Sequence, residues 1–141
     1  MIMEITELMI GDIVQYLDGK KLITVVVVKV DGSGNVVRLK QKNGHKFNTT
    51  IDFLRPIPLT PDILEKNGIK WFCTEPSGRK TYCCNEPVVQ CTYIPNSGWL
   101  INVGACGSIK VRFVEISKIQ YVHELQHAFS LCKIDKQISL P

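Results

Sequence analysis

The chain lacks the short strings that mark most nucleotide-binding and acyl-transfer enzymes. No G-x-G-x-x-G, Walker A or G-x-S-x-G sequence occurs in its 141 residues, so the phosphate cradles and the strained serine turn that those strings build have no footing. Long apolar runs are missing as well. The longest, Leu22–Val28 with Thr24 inside it, falls far short of the roughly 20 residues a membrane-crossing helix needs. The opening MIMEITELMIGD has Glu4 and Glu7 and no basic residue, so it does not read as a signal peptide. A cytoplasmic protein that engages no membrane is the expectation. In a reducing compartment the six cysteines (Cys73, Cys83, Cys84, Cys91, Cys106 and Cys132) are expected as free thiols packing like small hydrophobes. No two cysteines have the C-x₂₋₄-C spacing of structural zinc sites, and the adjacent Cys83 and Cys84 would point to opposite faces of a strand. Aromatics are few in the first lobe, where only Tyr16, Phe47 and Phe53 occur. That is thin support for a base-stacking platform. Repeats and low-complexity stretches are absent.

What remains is an ordinary globular composition, 45% hydrophobic and 21% charged. The net charge is +4, and it is not polarised. Residues 1–58 hold 8 Lys/Arg against 6 Asp/Glu and residues 59–141 hold 9 against 7, so each part is +2. Such a balance permits nucleic acid as a partner without demanding it, because an electrostatic footprint is a cluster and not a total.

The first part reads as short strands with tight turns. Ile13–Tyr16 ends at Asp18-Gly19, Leu22–Val30 is dense in β-branched residues, and Val36–Lys40 and His45–Asn48 flank Asn43-Gly44, the strongest short hairpin signal. So many short strands must curl, and a small SH3-like β-barrel over residues 1–57 is expected. Pro56, Pro58 and Pro61 then break the pattern into an extended connector. Residues 58–141 read as an α+β lobe. Thr60 and Pro61 are the cap and first residue of a helix over Asp62–Asn67, with Gly68 as its left-handed stop. Strands Ile69–Cys73, Lys80–Cys84, Val88–Tyr93, Trp99–Val103 and Ser108–Val114 follow as an antiparallel meander, with Gly104–Gly107 among the breaks. Ser117 is placed to cap a C-terminal helix from about Lys118 to Lys133, and Trp71, Tyr82, Tyr93 and Trp99 are expected in the core beneath it.

That helix carries His123-Glu124-Leu125-Gln126-His127, an H-E-x-x-H string. Residues i and i+4 of a helix lie one above the other, so two imidazoles can grip one zinc ion while Glu124 serves a metal-bound water as general base. The constellation is incomplete. Catalytic zinc takes three protein ligands, yet no histidine or glutamate follows the string, and Asp135 is the only later carboxylate. On a helical wheel of about 100° per residue, Tyr121, Val122, Leu125, Ala128, Phe129 and Cys132 form the apolar arc. His123, His127 and Ser130 lie opposite, where an amphipathic helix meets water.

Three blocks occur in order: Glu7-Leu8-Met9-Ile10-Gly11-Asp12-Ile13-Val14, then Ile57-Pro58-Leu59-Thr60-Pro61-Asp62-Ile63-Leu64-Glu65-Lys66-Asn67-Gly68, then Tyr121-Val122-His123-Glu124-Leu125-Gln126. With them the chain resembles a family of small uncharacterised proteins common in Bacteroides-type bacteria, their mobile elements and their phages. The stretch from Trp71 to Val114 carries none of the likeness. The resemblance implies no particular activity. It does imply that Gln and Asn stand in relatives where this chain has Glu124 and His127, changes no zinc site would survive.

One further constellation is basic. Arg38, Lys40 and Lys42 alternate with Val37, Leu39 and Gln41, so a strand would put the three cations on one face, with Lys46 across the Asn43-Gly44 turn. These four are the candidate phosphate contacts; the bland alternative is a solvated face protected by lysines. The expectation is therefore a non-enzymatic binding or adaptor protein for a protein or nucleic acid, without cofactor. A zinc-dependent hydrolase built on His123, His127 and Glu124 is the alternative, and a nucleic-acid-binding module the second.

Overall fold

Hairpin signals organise the first half of the chain. The computed structural model describes residues 3–85, 88–107 and 110–141, with the side chains of all of these but 88 and 103–117. By its contacts the chain forms two units. One comprises Met1–Pro58 and Tyr121–His123, the other Leu59–Gln120 and Glu124–Pro141.

In the first unit, Ile13–Asp18 (β1) and Lys21–Asp31 (β2) pair antiparallel with Asp18 opposite Lys21. Gly19 between them has φ +63°, the left-handed geometry that a two-residue hairpin loop selects. Val36–Gln41 (β3) and Lys46–Thr50 (β4) turn about Asn43-Gly44, where Asn43 Oδ1 accepts from the His45 N–H at 2.9 Å. A 3-10 turn, Ile51–Phe53, leads into the two-residue strand Leu54–Arg55 (β5), which pairs with β1. The strand order is β4-β3-β2-β1-β5. Its inner face supplies a core of Val14, Val25, Val27, Val37, Leu39 and Leu54, joined by Met3, Leu8 and Ile51. Each such side chain contributes roughly 1.5–3 kcal/mol by leaving water.

A closed barrel is more than this sheet forms. Among the described residues no ladder joins β4 to β5, and the sheet is open. Closing a barrel needs tilted, staggered strands long enough to meet across the seam, and β5 has two residues. Backbone from late in the chain also belongs to this unit: the Val122 N–H donates to Ile57 O at 2.9 Å, and Pro58 bridges Tyr121.

The second unit begins as its sequence prescribes. Pro61–Lys66 (α1) is capped by Thr60, whose Oγ1 accepts from the Ile63 N–H at 3.4 Å. At its end the N–H groups of Gly68 and Ile69 donate to Glu65 O and Leu64 O at 3.1 and 2.9 Å. This double bond pattern ends a helix in a left-handed residue, here Gly68 at φ +80°. Lys70–Thr74 (β6), Lys80–Asn85 (β7), Val88–Ile94 (β8), Gly98–Gly107 (β9) and Lys110–Ile119 (β10) form an antiparallel meander in the order β10-β9-β8-β7-β6. Val122–Leu131 (α2) follows.

Several boundaries differ from the sequence reading. Gly104–Gly107 lies inside β9, where pairing with β10 overrides the poor strand preference of glycine. Ser117 and Lys118 pair with Ile101 and Leu100 as part of β10, so Ser117 stands within a strand and not at a helix start, and α2 starts at Val122. The ladder supplies every second backbone group with a partner, and a register shift between Glu115 and Ser117 lets pairing run past the point where the apolar period changes. Of the aromatic residues expected inside, Tyr82 and Trp99 are buried and Tyr93 is 36% exposed, whereas Trp71 is 56% exposed beside Phe72 at 66%. Both stand on β6, the sheet edge, next to another register shift. The side chain of Cys106 and the residues Ser108 and Ile109 lie outside the described part. No helix of the described residues is long and apolar enough to cross a membrane.

Candidate functional site

Cross-strand partners share a face of a sheet, so the register reveals which side chains stand together. Lys29 on β2 is opposite Arg38 on β3, which is opposite Asn48 on β4. The next row is Val26, Lys40 and Lys46. Val27 and Leu39, between these rows, are fully buried on the other face. The outward face therefore presents Lys29, Arg38, Lys40 and Lys46, all exposed. Lys40 and Lys46 are directly paired, an arrangement of like charges that costs stability in a sheet. A hollow of about 140 Å³ is lined by Lys29, Asp31, Val36, Arg38 and Asn48. Asp31 is the carboxylate at this hollow. The Ser33 hydroxyl and N–H donate to its Oδ1 at 2.8 and 3.1 Å. These bonds, hydroxyl first, and the nearby Lys29 hold its carboxyl below the usual carboxylate value.

Of the four cations read from the sequence, Arg38, Lys40 and Lys46 share this face. Lys42 does not: β3 ends at Gln41, and Lys42 is an exposed turn residue. Lys29 escaped the sequence reading for a physical reason. Strict alternation from Val25 and Val27 would turn it inward, but the register shifts between Val27 and Lys29, and the extra residue of the bulge turns it outward.

The H-E-x-x-H string lies on α2, but not as a solvated stripe. His123 is only 3% exposed, Glu124 and His127 are half-buried, and Ser130 alone of the expected polar arc is fully in water. The Tyr121 ring stacks on His123 with centroids 5.9 Å apart and planes 13° from parallel. A wheel sorts residues against one apolar face, whereas Val122, His123 and Leu125 in the first turn are all buried, so that turn is covered on more than one side. Glu124 reaches back along the chain, and its Oε1 accepts from the Gln120 N–H at 3.1 Å. Its carboxylate thereby satisfies a backbone donor at the helix start, as the glutamate of a capping box does. Among the described residues no three His, Cys, Asp or Glu side chains come together as a metal-ion site.

Compared with protein-family models, with curated proteins and with solved structures, the chain matches none. Its own geometry has to carry the functional reading.

A second concavity, of about 250 Å³, lies in the second unit and is lined by Leu59, Thr60, Lys80, Tyr82, Tyr93 and Trp99, with Pro61 beside them. The Trp99 ring sits 5.7 Å from Tyr82 and 5.2 Å from Tyr93, and its Nε1–H donates to Leu59 O at 3.0 Å. These contacts make it chiefly the wall of a core. None of the described thiols is in a disulfide. Burial pushes those of Cys91 and Cys84 up from their ordinary value, the opposite of what a nucleophilic thiolate needs.

Proposed function

We propose that the chain is a non-enzymatic binding protein that holds a polyanion, nucleic acid, on the outward face of its first sheet. The observation behind this reading is the register that gathers Lys29, Arg38, Lys40 and Lys46 from three neighbouring strands. Pairing Lys40 with Lys46 costs the sheet some stability, a cost that a row of bound phosphates would offset. No cofactor is required for such a role. The strand order β4-β3-β2-β1-β5 with a 3-10 turn before β5 further suggests that the first unit is an SH3-like recognition module, a reading by fold analogy. The resemblance of the three sequence blocks suggests service to a mobile element or phage in the cytoplasm.

The hydrolase alternative has less support. Glu124 is engaged by the Gln120 N–H, and the two histidines lack a third donor among the described residues.

The reading is tested by fluorescence anisotropy of labelled oligonucleotides across a salt series. Affinity should fall steeply as salt rises, and replacing Lys40 and Lys46 together by glutamine should lower the slope of log K against log salt by roughly two. No binding at low salt, or binding that salt leaves unchanged, would remove the proposal.

A further inference from the structure

The basic face carries no ring on which a base could stack. Tyr16, Phe47, Phe53 and His45 are the rings of the first sheet region, and they pack with one another: Tyr16 lies 4.9 Å from Phe47 and 6.3 Å from Phe53, and the His45 imidazole stacks on Phe47 at 6.0 Å. Phe47 pairs with Leu39 on the core side of the register. The outward rows of β2, β3 and β4 hold Asp31, Val36 and Thr50, then Lys29, Arg38 and Asn48, then Val26, Lys40 and Lys46. Single-strand binders combine cations with stacked aromatics; here the cations stand without them.

The spacing of the cations is set by the sheet. Paired residues on neighbouring strands are about 5 Å apart, and residues two apart along a strand about 7 Å. Between the cations of the first row lies the hollow lined by Lys29, Arg38 and Asn48. Arg38 brings a planar fork of donors suited to phosphate oxygens, and Asn48 adds a neutral amide. Asp31 at the rim of the same hollow opposes an anion.

We infer that this face binds duplex nucleic acid through its phosphate backbone alone, without reading bases, and that the Lys29–Arg38–Asn48 hollow seats the anchoring phosphate against the standing repulsion of Asp31. The inference rests on the nucleic-acid reading above and narrows it. It makes the site indifferent to sequence and gives Asp31 a restraining role.

The test uses the full-length chain and three probes of equal length: a duplex, a shuffled duplex of the same composition and one single strand. The duplex should bind more tightly than the single strand, and the two duplexes within about twofold of each other. Four phosphate contacts predict a salt slope between about −3 and −4. Arg38→Gln should weaken binding and reduce that slope by about one. Asp31→Asn keeps an acceptor for Ser33 and removes the charge, so it should tighten duplex binding by roughly two- to fivefold, the worth of one screened surface charge. A single strand bound as tightly as the duplex, a preference above about tenfold between the duplexes, or an Asp31→Asn variant that binds more weakly would each overturn the inference while leaving nucleic-acid binding standing. Failure of all three probes to bind at low salt overturns both.

Discussion

The Asn67 side chain clamps the backbone of Ser139, far along the chain, in both directions. Its Nδ2 donates to Ser139 O at 2.8 Å, and its Oδ1 accepts from the Ser139 N–H at 2.8 Å. The same Nδ2 donates to Ile63 O at 2.7 Å, tying the end of α1 to the C-terminal segment of its own unit. Asn67 is 8% exposed, so these bonds are made away from bulk water, where an orphaned partner is costly.

Asn67→Ala should therefore destabilise the protein by about 2 kcal/mol, since it strands one backbone donor and two acceptors. Asn67→Asp should fare little better, because a carboxylate cannot donate to Ile63 O and Ser139 O. Urea denaturation midpoints check both. A midpoint unchanged in Asn67→Ala would show that the clamp contributes nothing.

A gain is expected at the end of α2. Lys133 has φ +56°, while the N–H groups of Lys133 and Ile134 donate to Ser130 O and Phe129 O at 3.1 and 2.8 Å. This is the helix ending that α1 makes with Gly68, but with a side chain in the left-handed position. Lys133→Gly should stabilise the protein by about 1 kcal/mol, as the clash of Cβ with the following carbonyl disappears. A lower thermal midpoint for this variant would contradict the assigned geometry.

Alkaline pH should weaken the fold through Cys91. Burial raises its folded thiol above the ordinary 9.0, so the unfolded chain releases this proton first. The stabilisation is complete below about pH 9 and is lost as pH climbs, at up to about 1.4 kcal/mol per pH unit. Cys84, also raised by burial, acts in the same direction. Denaturant titrations from neutral to strongly alkaline pH should show a shallower decline in Cys91→Ala than in the unmodified chain. Parallel declines would refute the assignment.

On α2, the conservative change separates structure from chemistry. Glu124→Gln retains an oxygen for the Gln120 N–H and should be almost neutral, whereas Glu124→Ala should cost about 1 kcal/mol, the worth of a helix cap. His123→Ala should cost more, because it empties a buried site beside the Tyr121 ring. Metal analysis of the untagged protein provides the second readout. One zinc per chain that vanishes on replacing His123 and His127 would restore the hydrolase reading.

Local grammar was legible where one residue decides one backbone angle. Thr60, Pro61 and Gly68 announced α1 almost to the residue, and Asn43-Gly44 announced the β3–β4 hairpin. What escaped depends on partners distant in sequence. The bulge that turns Lys29 outward exists only against β3. The last residues of β10 stay extended because Leu100 and Ile101 pair with them, and no periodicity within Ser117–Ile119 signals it. The wheel could not foresee that His123 would be buried, since its surroundings come from outside its own helix. Trp71 shows the reverse failure: its size suggested an interior, yet its place on the edge strand β6 leaves it in water.

Because Tyr121–His123 belongs with Met1–Pro58, the order of manufacture bears on how the protein matures. A ribosome releases the amino-terminal strands long before their last contributor emerges, with the whole of Leu59–Gln120 made in between. At typical elongation rates the delay is on the order of seconds. Throughout that interval the nascent sheet lacks the backbone that donates to Ile57, so a gene cut after Pro58 would encode a fragment permanently held at that unfinished stage.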